Sequence, residues 1–489
     1  MLNLKKLLYL PIILFFLPAF ALNLPFLGGA YAVYPYFYLA LYACLAVVFA
    51  LNSKTFALKI KKVINSTPFK IYLLYVLVSI LDTIVLSFLG VASLGNTIRY
   101  IIVHYILCIF PVFLYFIFII DKYISYDNFI KLFYKLFYIL MILGLIAYVG
   151  RLFNIEIINS VFDFLANVRF IKYVNVGYGG IASGYEAYGL PRLDCVFEEP
   201  SFYARFMFVF LPLIYSVTLS KIRIYKNYIV ENIVKKTMIP LAWLNLILTQ
   251  SPIYLLLFFF ITFAYFLKDI ITFIKRHILI FTILSVIFIS GFFIFVISVD
   301  FNDTFIARII TTLTSATFDD FVMAEQSLGG RIVCFINMFI IFLKHPFMGV
   351  GLGNLADTMY RQLSVSPVVI TPEIAQNMQT SVQTKQRFLF TSNLFFADLA
   401  QYGFIVFSIF VLYNVKIKKC LNKIKTYNIT YYERIYLNGL NWCWIALVIG
   451  YFYQFYMTLF EPLIINTLLI TFIYRTQLRR ENETNNIHG

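Results

Sequence analysis

From Arg192 to Ser201 the chain reads Arg-Leu-Asp-Cys-Val-Phe-Glu-Glu-Pro-Ser, and an apolar run begins at Phe202. Two adjacent carboxylates, Glu198 and Glu199, stand beside an arginine where the chain turns apolar. Crowding of like charges raises the pKa of one of a pair of carboxyls, which suits a general base. Acids before a helix N-terminus also match its dipole, so the pair admits both readings. Pro200 fits the first turn of that helix. A second group starts at Gly329-Gly330-Arg331, continues through an apolar stretch to Lys344-His345-Pro346, and adds Gly349, Gly351 and Gly353. Arginine reads phosphate through a planar fork of donors, and histidine carries protons near neutrality. The alternating glycines would let backbone approach a phosphate, although no Walker lysine follows. A lone histidine before proline is more often a helix terminus than an acid or base, and His345 admits both readings.

These residues sit in two polar segments, 151–201 and 300–387, of an otherwise apolar chain. Of its 489 residues 62% are hydrophobic and 13% charged, with mean hydropathy +0.85. A soluble core cannot absorb that much apolar surface, so the expectation is an all-α polytopic membrane protein, one integral membrane domain over 1–489. Stretches long enough to cross fall at 7–22, 34–51, 69–89, 98–120, 132–150, 202–219, 278–299, 388–413, 436–457 and, shorter, 463–474. Two further apolar runs, 238–249 and 253–267, meet at Gln250-Ser251-Pro252, where proline favours a turn.

Lysines and arginines decide how that region crosses, because they collect on the cytoplasmic side of short loops. A double crossing at 238–267 keeps Lys5, Lys54, Lys122, Lys221, Lys268, Lys416 and Arg475 on one side. The register implies about twelve spans, both termini cytoplasmic, and the two polar segments outside as large loops. The net charge of +16 is then a topology signal. No basic strip is interleaved with stacking aromatics, so nucleic acid is excluded as a partner. Outer basic residues are mostly arginine, including Arg151, Arg169, Arg192, Arg308, Arg331, Arg361 and Arg387, whereas inner ones are mostly lysine. Tyrosines and glycines from Arg169 to Gly189 suit sugar faces or an interfacial belt.

Ala19-Phe20-Ala21 after the first apolar run looks like a signal-peptide end, but in a multi-span chain the run is read as the first helix. Six scattered cysteines and four dispersed histidines show no metal-ligand spacing, and no cofactor or metal site is expected. Cys195 and Cys334 are read as two unrelated thiols. The apolar stretch from Ile332 to Leu343 is read as lying along the membrane surface or roofing a cavity.

Taken in order, Arg192 with Phe197-Glu-Glu-Pro-Ser201, then Gly-Gly-Arg331, His345-Pro-Phe-Met-Gly-Val-Gly-Leu-Gly-Asn354 and Ser392-Asn-Leu-Phe-Phe-Ala-Asp-Leu-Ala-Gln-Tyr-Gly403, resemble the O-antigen polymerase and ligase superfamily. Ligases of that group place a histidine directly before the asparagine of the last motif, where this chain has Ser392. Arg169 and Gly180 fit a polymerase Arg-x10-Gly spacing. The resemblance implies a GT-C-like membrane fold in the bacterial inner membrane with its site facing the periplasm. It implies a metal-independent polymerase joining undecaprenyl-diphosphate-linked oligosaccharide repeat units, with a ligase as the alternative. Glu199, Glu198 and His345 are the candidate catalytic residues, and Arg192, Arg331, Arg387, Arg169 and Tyr203 the candidate substrate-binding ones. Partners would be lipid-linked glycans as donor and acceptor, membrane lipid, a chain-length regulator and a flippase.

Overall fold

The computed structural model describes residues 7–16, 40–49, 67–102, 110–119, 124–169, 186–187, 190–193, 195, 200–277, 326–372, 394–427 and 429–451, with short pieces at 290, 317, 319, 374–376, 378–379, 468–470, 472–473 and 476. The expected span at 278–299 and the tyrosine- and glycine-rich stretch 170–185 lie outside the described residues, apart from residue 290.

Helices account for almost all of it. They are α1 Leu10–Phe15, α2 Ala40–Phe49, α3 Thr67–Phe88, α4 Leu94–Tyr100, α5 Phe110–Ile119, α6 Tyr126–Leu152 and α7 Glu156–Arg169. After a two-residue antiparallel ladder, β1 Glu186–Ala187 with β2 Leu190–Pro191, come α8 Pro200–Thr218, α9 Tyr228–Leu248 and α10 Pro252–Arg276. Then follow α11 Gln326–Lys344, α12 Leu355–Leu363, α13 Leu394–Lys425 and α14 Tyr431–Tyr451. Four helices are long and apolar enough to cross a bilayer among the described residues: Lys70–Phe88, Tyr126–Leu152, Tyr254–Arg276 and Phe395–Lys425. Ala40–Phe49 and Tyr203–Thr218 are shorter apolar helices. With apolar faces left outward on these helices, the chain is an integral membrane protein.

α8 is the central helix. Pro200 opens it, as the sequence predicts, and nearly every side chain from Tyr203 to Val217 is buried. A helix apolar on all faces must be surrounded by other helices. α6 meets it through the rings of Phe133, Phe137, Phe206 and Phe210. α14 approaches so closely that a Cβ at Gly439 would stand 2.7 Å from Leu213 Cδ1, the small-residue contact by which membrane helices pack.

The hairpin expected at Gln250-Ser251-Pro252 is present. Gln250 takes φ 48°, Ser251 is the N-cap of α10 and Pro252 occupies its first turn. α9 starts ten residues before its apolar run because the Asn227 side chain accepts from the amides of Ile229 and Val230; capping set that boundary and hydropathy did not.

A second hydrophobic core, separate from that bundle, gathers Val333, Cys334, Met338 and Ile341 of α11 with Leu355, Met359 and Leu363 of α12 and Ala397 and Ala400 of α13. α11 is longer than the expected stretch. Gly329 and Gly330 lie inside its first turns, and its 19 residues reach roughly 28 Å. Phe335 and Phe339 pack on Phe396, which seats α11 along the first turns of α13.

Candidate functional site

The first group of candidate residues is built on the turn of the α9–α10 hairpin. β2 delivers Arg192 to the turn, where its Nε donates to Thr249 O at 3.1 Å. Its Nη2 donates to Gln250 O at 3.4 Å and Ser251 Oγ at 3.3 Å. These are the carbonyls that a helix C-terminus leaves unsatisfied, and a cation there also meets the negative end of the dipole. Leu193 N continues the contact by donating to Leu248 O at 2.9 Å, and Arg151 at the end of α6 donates from Nη1 to Arg192 O at 3.4 Å. Cys195, with φ 55°, lays its thiol against Leu140 O of α6. Arg192 and Leu193 thus lie against the end of α9, and Cys195 against the middle of α6. Glu198 and Glu199 lie outside the described residues. So does Arg387, while Arg169 closes α7.

Tyr203 points inward. It is fully buried and donates to Asn245 Oδ1 at 2.9 Å, with Asn245 Nδ2 donating on to Leu241 O. Gly144 of α6 makes room for this pair, since a Cβ there would stand 2.6 Å from Asn245 Oδ1 and 3.2 Å from the Tyr203 hydroxyl. The sequence placed Tyr203 among substrate-binding residues. In the structure its contacts are with protein, because burial of its phenol in a helix crossing demands a fixed acceptor.

The second group divides. Arg331 lies in the second turn of α11, half-buried, and His345 follows its last residue. Fourteen residues of helix put them roughly 21 Å apart along the axis, so these two do not share one reacting centre. His345 is partly buried, and that burial, followed by the neighbouring Lys344 charge, holds its imidazole below the ordinary histidine value. Lys344 itself donates to Gln362 Oε1 of α12 at 2.7 Å.

The glycines after His345 do not form a phosphate cradle. Gly349 N donates to His345 O, Val350 N to Ala400 O at 3.0 Å, Gly351 N to Gln401 O at 2.8 Å, and Leu352 N to Thr83 Oγ1 at 2.8 Å. Those amides are spent on protein. In return Phe404 N donates to Pro346 O at 2.8 Å, and α13 breaks at Gly403, with φ 62° and ψ −173°. A Cβ at Gly349, φ 67°, would stand 2.5 Å from the carbonyl carbon of Gln401, and one at Gly403 would collide with Phe347 and Met348 backbone. The glycines therefore let backbone approach backbone. The two later motifs are halves of one junction between α11, α13 and α3.

Asn354 clasps that junction to α4. Its Oδ1 accepts from Ser93 N at 2.8 Å and Asn96 Nδ2 at 3.3 Å, while its Nδ2 donates to Leu352 O at 3.0 Å. Asn96 Nδ2 also donates to Asp357 Oδ2 at 2.6 Å.

Two ionisable side chains escaped the sequence reading. Arg205, 2% exposed, is enclosed within α8, five residues after Pro200, and Asp82, 8% exposed, is enclosed within α3. Each stands singly in an apolar run, which hydropathy averages hide; the available signal was that a charge inside a span is costly and marks function by default. Cys195 and Cys334 are buried in different cores, as two unrelated thiols. Among the described residues no three His, Cys, Asp or Glu side chains gather as a metal site.

An integral membrane protein whose polar candidates are mounted on helix ends and on a broken helix is the class that fold and site define. Residues 238–411, from α9 into α13, match the family model Wzy_C, described as O-Antigen ligase, which supports a likeness to the O-antigen polymerase and ligase superfamily. Members of that family are membrane glycosyltransferase-like enzymes associated with lipid-linked glycans. The match covers about a third of the chain, taking in the glycine junction and Arg331 but stopping short of Arg192. No curated protein matches the chain, and no solved structure does.

Proposed function

We propose that the protein polymerises undecaprenyl-diphosphate-linked oligosaccharide repeat units on the periplasmic side of the bacterial inner membrane. About twelve spans in a GT-C-like arrangement, with both termini cytoplasmic, would carry 151–201 and 300–387 as periplasmic loops. The observation that supports the reading is the seat of Arg192: a cation fixed on the turn of the α9–α10 hairpin, eight residues before Pro200 opens α8. Its sequence neighbours Glu198 and Glu199 supply the carboxylates.

In the proposed transfer, the growing glycan on its lipid diphosphate is the donor and one lipid-linked unit the acceptor. Glu199 or Glu198 takes the proton of the acceptor hydroxyl, whose oxygen forms the bond to the anomeric carbon. The bond from that carbon to the diphosphate breaks, and its electron pair leaves with the lipid diphosphate. Arg192, Arg331 and Arg387 stabilise that charge in place of a divalent metal, with Arg169 beside the glycan. His345 belongs in this account to the junction, and Tyr203 to the packing of α8. Chain-length regulator and flippase would be its working partners.

A second reading is supported by the description of the matched family itself: a ligase that moves finished glycan to another acceptor. Ser392, standing where ligases hold histidine, favours polymerisation. Arg331→Ala in membranes should abolish chain extension while leaving an inserted, helical protein; full-length glycan from that variant would remove Arg331 from the mechanism. Activity should persist in excess chelator, and a strict need for Mg²⁺ or Mn²⁺ would contradict the metal-free scheme.

A further inference from the structure

α3 turns one face to α13 and to the glycine-rich segment. Ser79, Asp82 and Thr83 are buried on that side with Leu86, below the contacts of Tyr75 with Tyr402 and Phe410. The two hydroxyls are satisfied. Ser79 Oγ donates to Val76 O at 2.8 Å, and Thr83 Oγ1 donates to Ser79 O at 2.7 Å while accepting from Leu352 N. Asp82 differs from both. It is nine-tenths buried inside a candidate membrane span, makes no hydrogen bond or ion pair among the described residues, and its Oδ2 is wholly enclosed with no donor there.

Among the described residues, the charged or titratable groups on the elements packed against α3 are Asp398, Tyr402 and Tyr413 of α13 and Arg99 of α4, and the segment 346–354 contains none. Asp82 bonds to none of them. A carboxylate that has lost water and gained neither cation nor hydrogen bond is the costliest state a side chain can hold in a membrane helix. Binding a proton removes the charge and needs no room.

We propose that Asp82 is a proton-binding site, a neutral carboxylic acid in α3 that exchanges its proton with water at the near membrane face. It lies six residues before Phe88, roughly 9 Å below the helix end. That this end faces the periplasm rests on the proposed topology; the proton site does not. The site is coupled to the junction by sequence, because Thr83 holds Leu352 N and packs on Gly351. Loss of the proton would put an uncompensated charge one residue from that bond.

The test is labelling of the full chain in lipid vesicles with dicyclohexylcarbodiimide, which attacks protonated carboxyls in apolar surroundings, read by peptide mass spectrometry. An adduct at Asp82 is expected, falling about tenfold per pH unit above the midpoint, with much slower labelling by a water-soluble carbodiimide. No adduct at Asp82, an adduct indifferent to pH, or equal labelling by the water-soluble reagent overturns the proposal. Asp82→Asn, a neutral isostere of the protonated acid, should melt like the wild-type protein and lose the adduct; a variant that no longer folds, or an adduct that persists on the same peptide, also counts against the site. Labelling needs no glycan, so its failure would leave the polymerase reading standing, and failed polymerisation would leave this one.

Discussion

The two polar regions are held to the membrane helices in different ways. The first is tied by polar bonds to helix backbone: Arg192 on the α9–α10 turn, Leu193 on Leu248 at the end of α9, and Cys195 on Leu140 within α6. The second has a hydrophobic core of its own and is fused to α13 by glycine contacts. A region fastened by charge-assisted bonds presents cationic groups where the chain meets water. A region fastened by close backbone contact spends its amides from Gly349 to Leu352 on protein. Under the proposed function, the chemistry falls to the first region and, in the second, to the Arg331 end of α11 rather than to the glycines.

Substitutions at the two attachments should separate these modes, the junction giving the largest effect. Gly349→Ala or Gly403→Ala combines a left-handed backbone with a collision against main chain, and should cost about 3 kcal/mol or more, read as a lost melting transition and low yield in detergent. A well-folded Gly349→Ala protein would mean that the junction yields, and the contrast between the regions would fail. Arg192→Ala removes several bonds to carbonyl and hydroxyl oxygens and should cost about 2 kcal/mol together with chain extension. Arg192→Lys should recover part of the stability and little activity, since an ammonium cannot fork across the turn. If Arg192→Ala melts like wild type, the anchoring role is wrong.

Smaller effects mark residues whose work is packing. Tyr203→Phe leaves Asn245 Oδ1 without its donor and should lower stability by about 1 kcal/mol with polymer length unchanged; activity lost at unchanged stability would return Tyr203 to the substrate surface. His345 has a pKa lowered in the folded protein, so the unfolded chain binds the proton more tightly. Its contribution to stability is whole above the ordinary histidine pKa and is lost as pH falls below it. His345→Gln should flatten that acid limb of the melting profile slightly, and an unaltered limb would show that His345 does not titrate there.

What the sequence made legible follows from how local the physics was. Pro200 at a helix start and the turn at Gln250-Ser251-Pro252 are set by proline geometry within a few residues, and both were readable. The glycines at 349, 351 and 353 were visible as unusual, but their purpose depends on Gly403, fifty residues away, and a phosphate and a second backbone ask for the same missing Cβ. Arg192 was readable as a cation and not as a cap, because its acceptors at Thr249 to Ser251 come near only when α9 and α10 fold. Asp82 and Arg205 were lost to averaging along apolar runs, and their meaning is purely tertiary.

The central claim is repeated transfer onto lipid-linked units, and purified protein in vesicles with one undecaprenyl-diphosphate-linked repeat unit as the only glycan tests it most directly. The account predicts a ladder of lipid-linked products spaced by one repeat unit, formed without added metal. A single unit passed once to a different acceptor, with no ladder, would contradict polymerisation and establish the ligase reading.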